Sequence, residues 1–107
     1  STCAFVEVGV SYSADLNHTI DTMRDEIMKH PLLIDHRSEA DKQKNIPQVI
    51  IRVTNLGDSA ITLRAWAWAS SAANAFAMKC DLLKAVKERF DRENIEIPYP
   101  YINVVKA

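Results

Sequence analysis

The chain has 107 residues, which is enough for one compact domain and too few for a second hydrophobic core. A net charge of −1 gives no electrostatic support for binding nucleic acid or an anionic membrane surface, and the two glycines are too few for a phosphate-binding loop. No apolar run approaches the roughly 18 residues of a membrane-spanning helix. Cys3 and Cys80 have no metal-binding spacing, so we expect Cys80 to be a buried apolar side chain in a reducing, intracellular setting.

The first half of the chain predicts a strand, a helix and an exposed loop. Apolar and polar residues alternate over residues 3–12, which is the period of a half-buried strand. Ser13 or Asp15 can cap a helix that ends before Pro31. The apolar stripe of this helix is Leu16, Ile20, Met23 and Ile27. Residues 35–48 are polar and are expected to form an exposed loop.

A β-hairpin is predicted next. Gly57 and Asp58 lie between two strand-like segments, residues 49–56 and residues 60–69. A Gly-Asp pair in this position is a strong signal for a two-residue hairpin turn.

The last third of the chain predicts a long helix, a short extended segment and a final strand. The helix is capped by Ser70 or Ser71 and stops at Asn94, a residue that tolerates left-handed geometry. Its expected apolar stripe is Phe76, Cys80, Leu83, Val86 and Phe90. Residues 95–97 are extended, Pro98 and Pro100 form a stiff hinge, and residues 101–105 form an apolar strand.

The element order is strand, helix, strand, strand, helix, strand. This order predicts an α+β, ferredoxin-like split βαβ fold (β-α-β-β-α-β), with two helices on one face of an antiparallel or mixed sheet. Residues 1–100 are expected to form this domain, with residues 101–107 as a terminal strand. The helices can cover only one face of the sheet.

The helix-free face is where function is expected. If Ile61, Leu63, Ala65 and Ala67 face the helices, then Thr62, Arg64, Trp66 and Trp68 face away from them, together with Phe5 and Gly9 of the first strand. Large exposed apolar surfaces usually mark contact sites. Two interpretations stay open: the tryptophans pack on loop 35–48 or on Gly9, or they contact another chain or a missing part of this one. The candidate interface residues are Phe5, Arg64, Trp66, Trp68, Tyr99, Tyr101, Ile102 and Val104.

Two segments carry a family resemblance. VTNLGDSAITLRAWAW and CDLLKAVKERFDRENIEIPYPYINVV closely resemble the carboxy-terminal cytoplasmic domain of the small-conductance mechanosensitive (MscS-type) ion channels. The shared motifs are a Leu-Gly-Asp-Ser turn, an aromatic strand ending in Trp, an Asp-Leu-Leu to Phe-Asp helix and an Ile-Pro-Tyr-Pro hinge. The likeness covers nearly the whole chain. It departs at Asn94, where Gly is common, at residues 71–73, where Gly-Asp is frequent, and in loop 35–48, which is longer than in the shortest members.

The resemblance implies a non-enzymatic assembly domain without a cofactor or metal. In such channels seven subunits assemble, and these domains form part of a hollow cytoplasmic vestibule with side openings, on the cytoplasmic side of the inner membrane. The membrane helices and a β-domain would precede Ser1. The last strands, here residues 101–107, would start an oligomeric β-barrel. The implied partners are the other subunits and the upstream parts of the same chain, with no nucleic acid and no direct membrane contact.

The predicted fold also occurs in two other classes of protein. RNA-recognition modules share the topology and place aromatics on the same strands, but their basic aromatic-glycine signature is absent and the charge is slightly acidic. A ferredoxin-like phosphatase would need an arginine in the loop at residues 12–15, which has none. His18, His30 and His36 with Asp35 suggest a metal site, but their positions fit solvated or structural histidines better.

Overall fold

The computed structural model describes residues 1–99, so the predicted strand at residues 101–105 lies outside the described part of the chain. The described part has an α+β fold, as predicted. Its elements in chain order are β1 Thr2–Val10, α1 Leu16–Met28, α2 Glu39–Gln43, β2 Ile50–Leu56, β3 Ile61–Ala69 and α3 Ala72–Arg92.

The three strands form one antiparallel sheet in the order β1-β3-β2. Along β3 every second residue is buried, from Ile61 to Ala69, and the residues between them are half-buried. Because successive side chains of a strand point to opposite faces, this alternation separates the two faces of the sheet. The predicted division of β3 into a helix-facing and a helix-free side is therefore confirmed.

Helices α1 and α3 lie side by side on the buried face of the sheet, with α3 over β1 and β3. The alanines at positions 65, 67 and 69 of β3 are fully buried. Their small side chains let a helix pack closely on the strand. The largest fully buried side chains of this core are Phe90, Met23, Ile27, Leu63, Met78 and Leu82.

The predicted apolar stripe of α3 is wrong over its first half. Phe76 is 70% exposed, Leu83 is 39% exposed, and Cys80 is exposed rather than buried. The buried stripe is Ala75, Met78, Leu82, Val86 and Phe90. Helix α3 carries two neighbouring apolar stripes, and helical periodicity alone cannot tell which one faces the sheet.

The hairpin turn is one residue later than predicted. The Gly57 N–H donates to the Ala60 carbonyl oxygen at 2.9 Å, so Asp58 and Ser59 occupy the turn and β3 begins at Ile61. Neither glycine has a positive φ. A Cβ on Gly57 would lie 3.0 Å from the Ala60 carbonyl oxygen, so a side chain there would require the turn to shift by a few tenths of an ångström. A Cβ on Gly9 would meet the Ala60 Cβ at 3.2 Å, so Ala60, and not an indole, lies beside Gly9.

The two long helices begin at capping residues that the sequence predicted. The side chain of Asp15 accepts a hydrogen bond from the His18 N–H at the start of α1, and the side chain of Ser71 does the same for Asn74 at the start of α3. Asn94 has φ 58°, the left-handed geometry expected after α3. None of the helices within residues 1–99 combines the length and the hydropathy that crossing a bilayer requires.

Loop 35–48 is more ordered than the sequence suggested. It contains α2, which begins with a capping box: the Ser38 side chain accepts from the Asp41 N–H, and the Asp41 side chain accepts from the Ser38 N–H. The Arg37 guanidinium makes a bidentate pair with Asp35 and also donates to the Ile46 carbonyl oxygen at 3.1 Å. This pairing holds the pKa of the Asp35 carboxyl well below its usual range.

Candidate interaction surface

The sheet face turned away from α1 and α3 is called the open face here. The strand register sets its side chains in rows across the sheet, with Phe5 of β1 and Ile50 of β2 on either side of Trp66 of β3. The adjacent row contains Glu7, Arg64 and Arg52. An apolar row therefore lies next to a charged row.

Phe5, Trp66 and Arg64 form a compact cluster on the open face. The Phe5 and Trp66 rings meet edge to face, with centroids 5.8 Å apart and planes at 66°. The Arg64 guanidinium carbon lies 4.9 Å from the Phe5 centroid and 5.6 Å from the Trp66 centroid, within cation–π range. Phe5 is still 44% exposed. The cluster thus combines two aromatic rings with a guanidinium, and part of it faces solvent.

Glu7 fixes the arginine of this cluster. Its Oε1 accepts a hydrogen bond from the Arg64 Nε–H at 3.2 Å and also lies 3.2 Å from the Arg64 Nη2. This contact holds the guanidinium over the two rings, where its charge is compensated. The alternation along β1 puts Glu7 on the same face as Phe5, and the register with β3 brings it opposite Arg64.

Trp68 is covered by its own chain. The His36 ring stacks on it with centroids 3.6 Å apart and planes 5° apart, and the Ile34 N–H donates to the Trp68 carbonyl oxygen at 2.9 Å. For Trp68, the structure therefore favours packing on loop 35–48. Sequence reasoning considered His36 only as a possible metal ligand and did not pair it with Trp68, because the two residues lie 32 positions apart in the chain.

Arg52, also on the open face, has no compensating charge among the described residues. It lies directly opposite Arg64 in the β2–β3 register, and like charges in that position repel. Arg64 is neutralised by Glu7, whereas no ion pair or side-chain hydrogen bond of Arg52 is found among residues 1–99. The row of Glu7, Arg64 and Arg52 therefore has a net positive charge at its β2 end.

The other candidate residues are not brought together on this face. Tyr99 is 91% exposed and follows residues 95–97, which run beside the end of β1. The Ser11 N–H donates to the Glu96 carbonyl oxygen at 3.1 Å and marks that contact. Tyr101, Ile102 and Val104 lie outside the described residues.

The histidines have structural surroundings. His30 Nε2 lies 2.9 Å from Asp81 Oδ2, and its Nδ1 accepts from the Leu32 N–H at 3.1 Å, which ties the end of α1 to α3. His36 stacks on Trp68 and His18 lies in the first turn of α1. Within residues 1–99, no group of three His, Cys, Asp or Glu side chains is arranged to hold a metal ion.

These features define the class of protein: a two-layer α+β domain, with helices on one side of an antiparallel sheet and an aromatic, arginine-bearing face on the other. Residues 5–97 match the family model described as mechanosensitive ion channel MscS, C-terminal. The chain therefore belongs to the MscS family of mechanosensitive ion channels, and it corresponds to the C-terminal domain of that family. This is a family of channels and not of enzymes, and nothing in the comparisons supports the nucleic-acid alternative.

Individual relatives agree with this assignment. An uncharacterized MscS family protein of Archaeoglobus fulgidus is 32% identical over 93 residues, which is 87% of this chain and 29% of the relative. An uncharacterized MscS family protein of Synechocystis is 31% identical over 97 residues, 91% of this chain and 29% of the relative. The small-conductance mechanosensitive channel of Helicobacter pylori is 27% identical over 96 residues, 90% of this chain and 31% of the relative. The chain thus spans less than a third of the length of these relatives.

A solved structure shows the same fold. The crystal structure of Helicobacter pylori MscS in the closed state superposes with a TM-score of 0.72 at 24% sequence identity, covering 100% of this chain and 39% of that chain.

Proposed function

We propose that this domain is an assembly domain of a mechanosensitive ion channel and builds part of its cytoplasmic vestibule. It would act on the cytoplasmic side of the inner membrane, in contact with other subunits of the same channel, which the resemblance puts at seven, and with the upstream parts of its own chain. The single observation that carries the proposal is the half-exposed cluster of Phe5, Trp66 and Arg64 on the open face of a domain that belongs to a channel family.

The energetics of the cluster support a contact role. An aromatic side chain buries about 150–250 Å² when it is fully covered, and apolar burial contributes roughly 25 cal/mol per Å². Phe5 keeps 44% of its surface exposed, so covering it would remove a substantial apolar area from water. The Trp66 ring packs against Phe5 and the Arg64 side chain is held by Glu7, so little side-chain entropy remains to be lost on binding.

We also propose that the ferredoxin-like arrangement is completed at the outer edge of β1. Support comes from the hydrogen bond between Ser11 and Glu96, which brings residues 95–97 to that edge. Pro98 and Pro100 have no N–H to donate, so a ladder along β1 would be interrupted there. This favours a separate use of residues 101–107, as the strand that each subunit contributes to a shared β-barrel.

A chimeric channel tests the assembly role. The matched C-terminal domain of the Helicobacter pylori channel would be replaced by this chain, and the mass of the purified complex measured by native mass spectrometry. We expect the chimera to have the subunit number of the parent channel. A chimera that yields monomers or smaller complexes, while the parent assembles, would contradict the proposal.

Variants of the chimera locate the contact. Phe5→Ser and Trp66→Ser should lower the denaturant concentration at which the subunits separate, because both remove apolar surface from the open face. Leu56→Ser is the matched control. Leu56 is 68% exposed but lies on the helix-facing side of the sheet, because it pairs with the buried residue Ile61. Circular dichroism of each variant establishes that the domain is folded.

A further inference from the structure

Two arginines on the open face share a single carboxylate within residues 1–99. Arg52 and Arg64 are directly opposite each other on β2 and β3, and in the described part of the chain only Arg64 has a carboxylate partner, that of Glu7. A second carboxylate placed between the two guanidinium groups would remove the repulsion and accept charge-assisted hydrogen bonds from both. The apolar row of Phe5 and Trp66 lies immediately beside this site.

A segment of the same chain has the complementary chemistry. Glu96 is exposed and makes no ion pair among the described residues, and Tyr99, three positions later, is 91% exposed. Pro98 between them restricts the backbone to an extended conformation. Extended proline-containing segments dock well on aromatic surfaces, because little conformational entropy is lost on binding.

The two surfaces cannot meet within one molecule. The Glu96 backbone is fixed at the outer edge of β1 through Ser11, whereas Arg52 lies on β2, at the opposite edge of the sheet. With neighbouring strands roughly 4.8 Å apart, this separation is on the order of 14 Å, well beyond the reach of a Glu side chain. The complementary segment must therefore come from another molecule.

We propose that the open face binds residues 96–99 of a second copy of this chain. The Glu96 carboxylate of one copy bridges Arg52 and Arg64 of the next, and Tyr99 covers the exposed ring of Phe5 beside Trp66. Each copy uses two different surfaces, so the contact is heterologous and propagates from copy to copy until a ring closes. This inference rests on the proposed assembly function, and it names the partner surfaces for it.

Charge reversal tests the contact on the 107-residue chain by sedimentation equilibrium up to millimolar concentration. The unaltered chain should associate beyond dimers. Arg52→Glu and Glu96→Arg should each lower the association constant by roughly tenfold or more, because a desolvated charge pair is replaced by repulsion. An equimolar mixture of the two variants should regain association beyond dimers, since one contact keeps the native pair of Arg52 and Glu96 and the next contact joins the two reversed positions. The double variant carrying both reversals should associate like the unaltered chain.

Two controls have the same charge changes elsewhere. Lys44→Glu and Asp58→Arg alter exposed residues that lie outside both surfaces, and they should associate like the unaltered chain. A chain that stays monomeric at every concentration, or single variants that associate as well as the unaltered chain, would overturn the inference. The chimera distinguishes this inference from the proposed function. If the chimera carrying Arg52→Glu assembles normally, the assembly role stands and only the proposed contact is refuted.

Discussion

Two phenylalanines on the same helix give the sharpest test of the packing. Phe90 is fully buried, whereas Phe76 is 70% exposed, although the apolar pattern of α3 makes them equivalent. Truncating a buried Phe to Ala removes its transfer free energy and leaves a cavity, at a cost of about 3–5 kcal/mol. An exposed substitution away from special features changes stability by only about 0.5 kcal/mol or less. Phe90→Ala should therefore remove a large part of a total that is about 5–15 kcal/mol for a domain of this size.

Urea unfolding followed by circular dichroism measures the difference. We expect Phe76→Ala to keep the midpoint of the unaltered chain and Phe90→Ala to shift it strongly, with equal m-values. Phe90→Leu removes less volume and should cost about 1 kcal/mol, which keeps the comparison measurable if the alanine variant retains too little native protein. Equal losses at positions 76 and 90 would show that the orientation of α3 is wrong.

Three further outcomes are expected. His36→Ala should uncover Trp68 and shift tryptophan emission to longer wavelength; an unchanged spectrum would argue against the stacked ring. The Arg89 guanidinium lowers the pKa of Asp25 in the folded protein. This pair therefore stabilises the fold fully at pH values above the unfolded carboxyl pKa of about 3.9. The stabilisation is lost as the pH falls through the lower pKa of the folded state. Asp25→Asn should therefore weaken the pH dependence of unfolding below about pH 4, and an unchanged profile would count against the pair. Arg52→Glu should stabilise the monomer by about 0.2–1 kcal/mol in urea unfolding, since an attractive cross-strand pair replaces a repulsive one; a loss of stability would contradict that register.

The sheet could be predicted because its strands carry period-two patterns. Alternation along residues 60–69 puts Ala65 and Ala67 on one side and Trp66 and Trp68 on the other, and the structure has this arrangement. The helix caps Asp15 and Ser71 and the left-handed Asn94 were also predictable, since these features depend on local backbone chemistry.

The errors arose where tertiary contacts decide between local alternatives. Helix α3 has two apolar stripes, and only packing on β1 and β3 selects the one with Met78 and Leu82. The turn falls on Asp58 and Ser59 because Gly57 pairs with Ala60 through a backbone hydrogen bond, a register that the Gly-Asp dipeptide alone does not specify. The position of loop 35–48 depends on His36 meeting Trp68, a contact between residues far apart in the chain.

The central claim is that protein from outside this domain covers the open face in the assembled channel. Hydroxyl-radical footprinting of the chimera, compared with the isolated 107-residue chain at low concentration, tests it directly. We predict that Phe5 and Trp66 are labelled more slowly in the assembled chimera, while Leu56, 68% exposed on β2, is labelled at the same rate in both. Equal labelling of Phe5 and Trp66 in the two samples would contradict the claim.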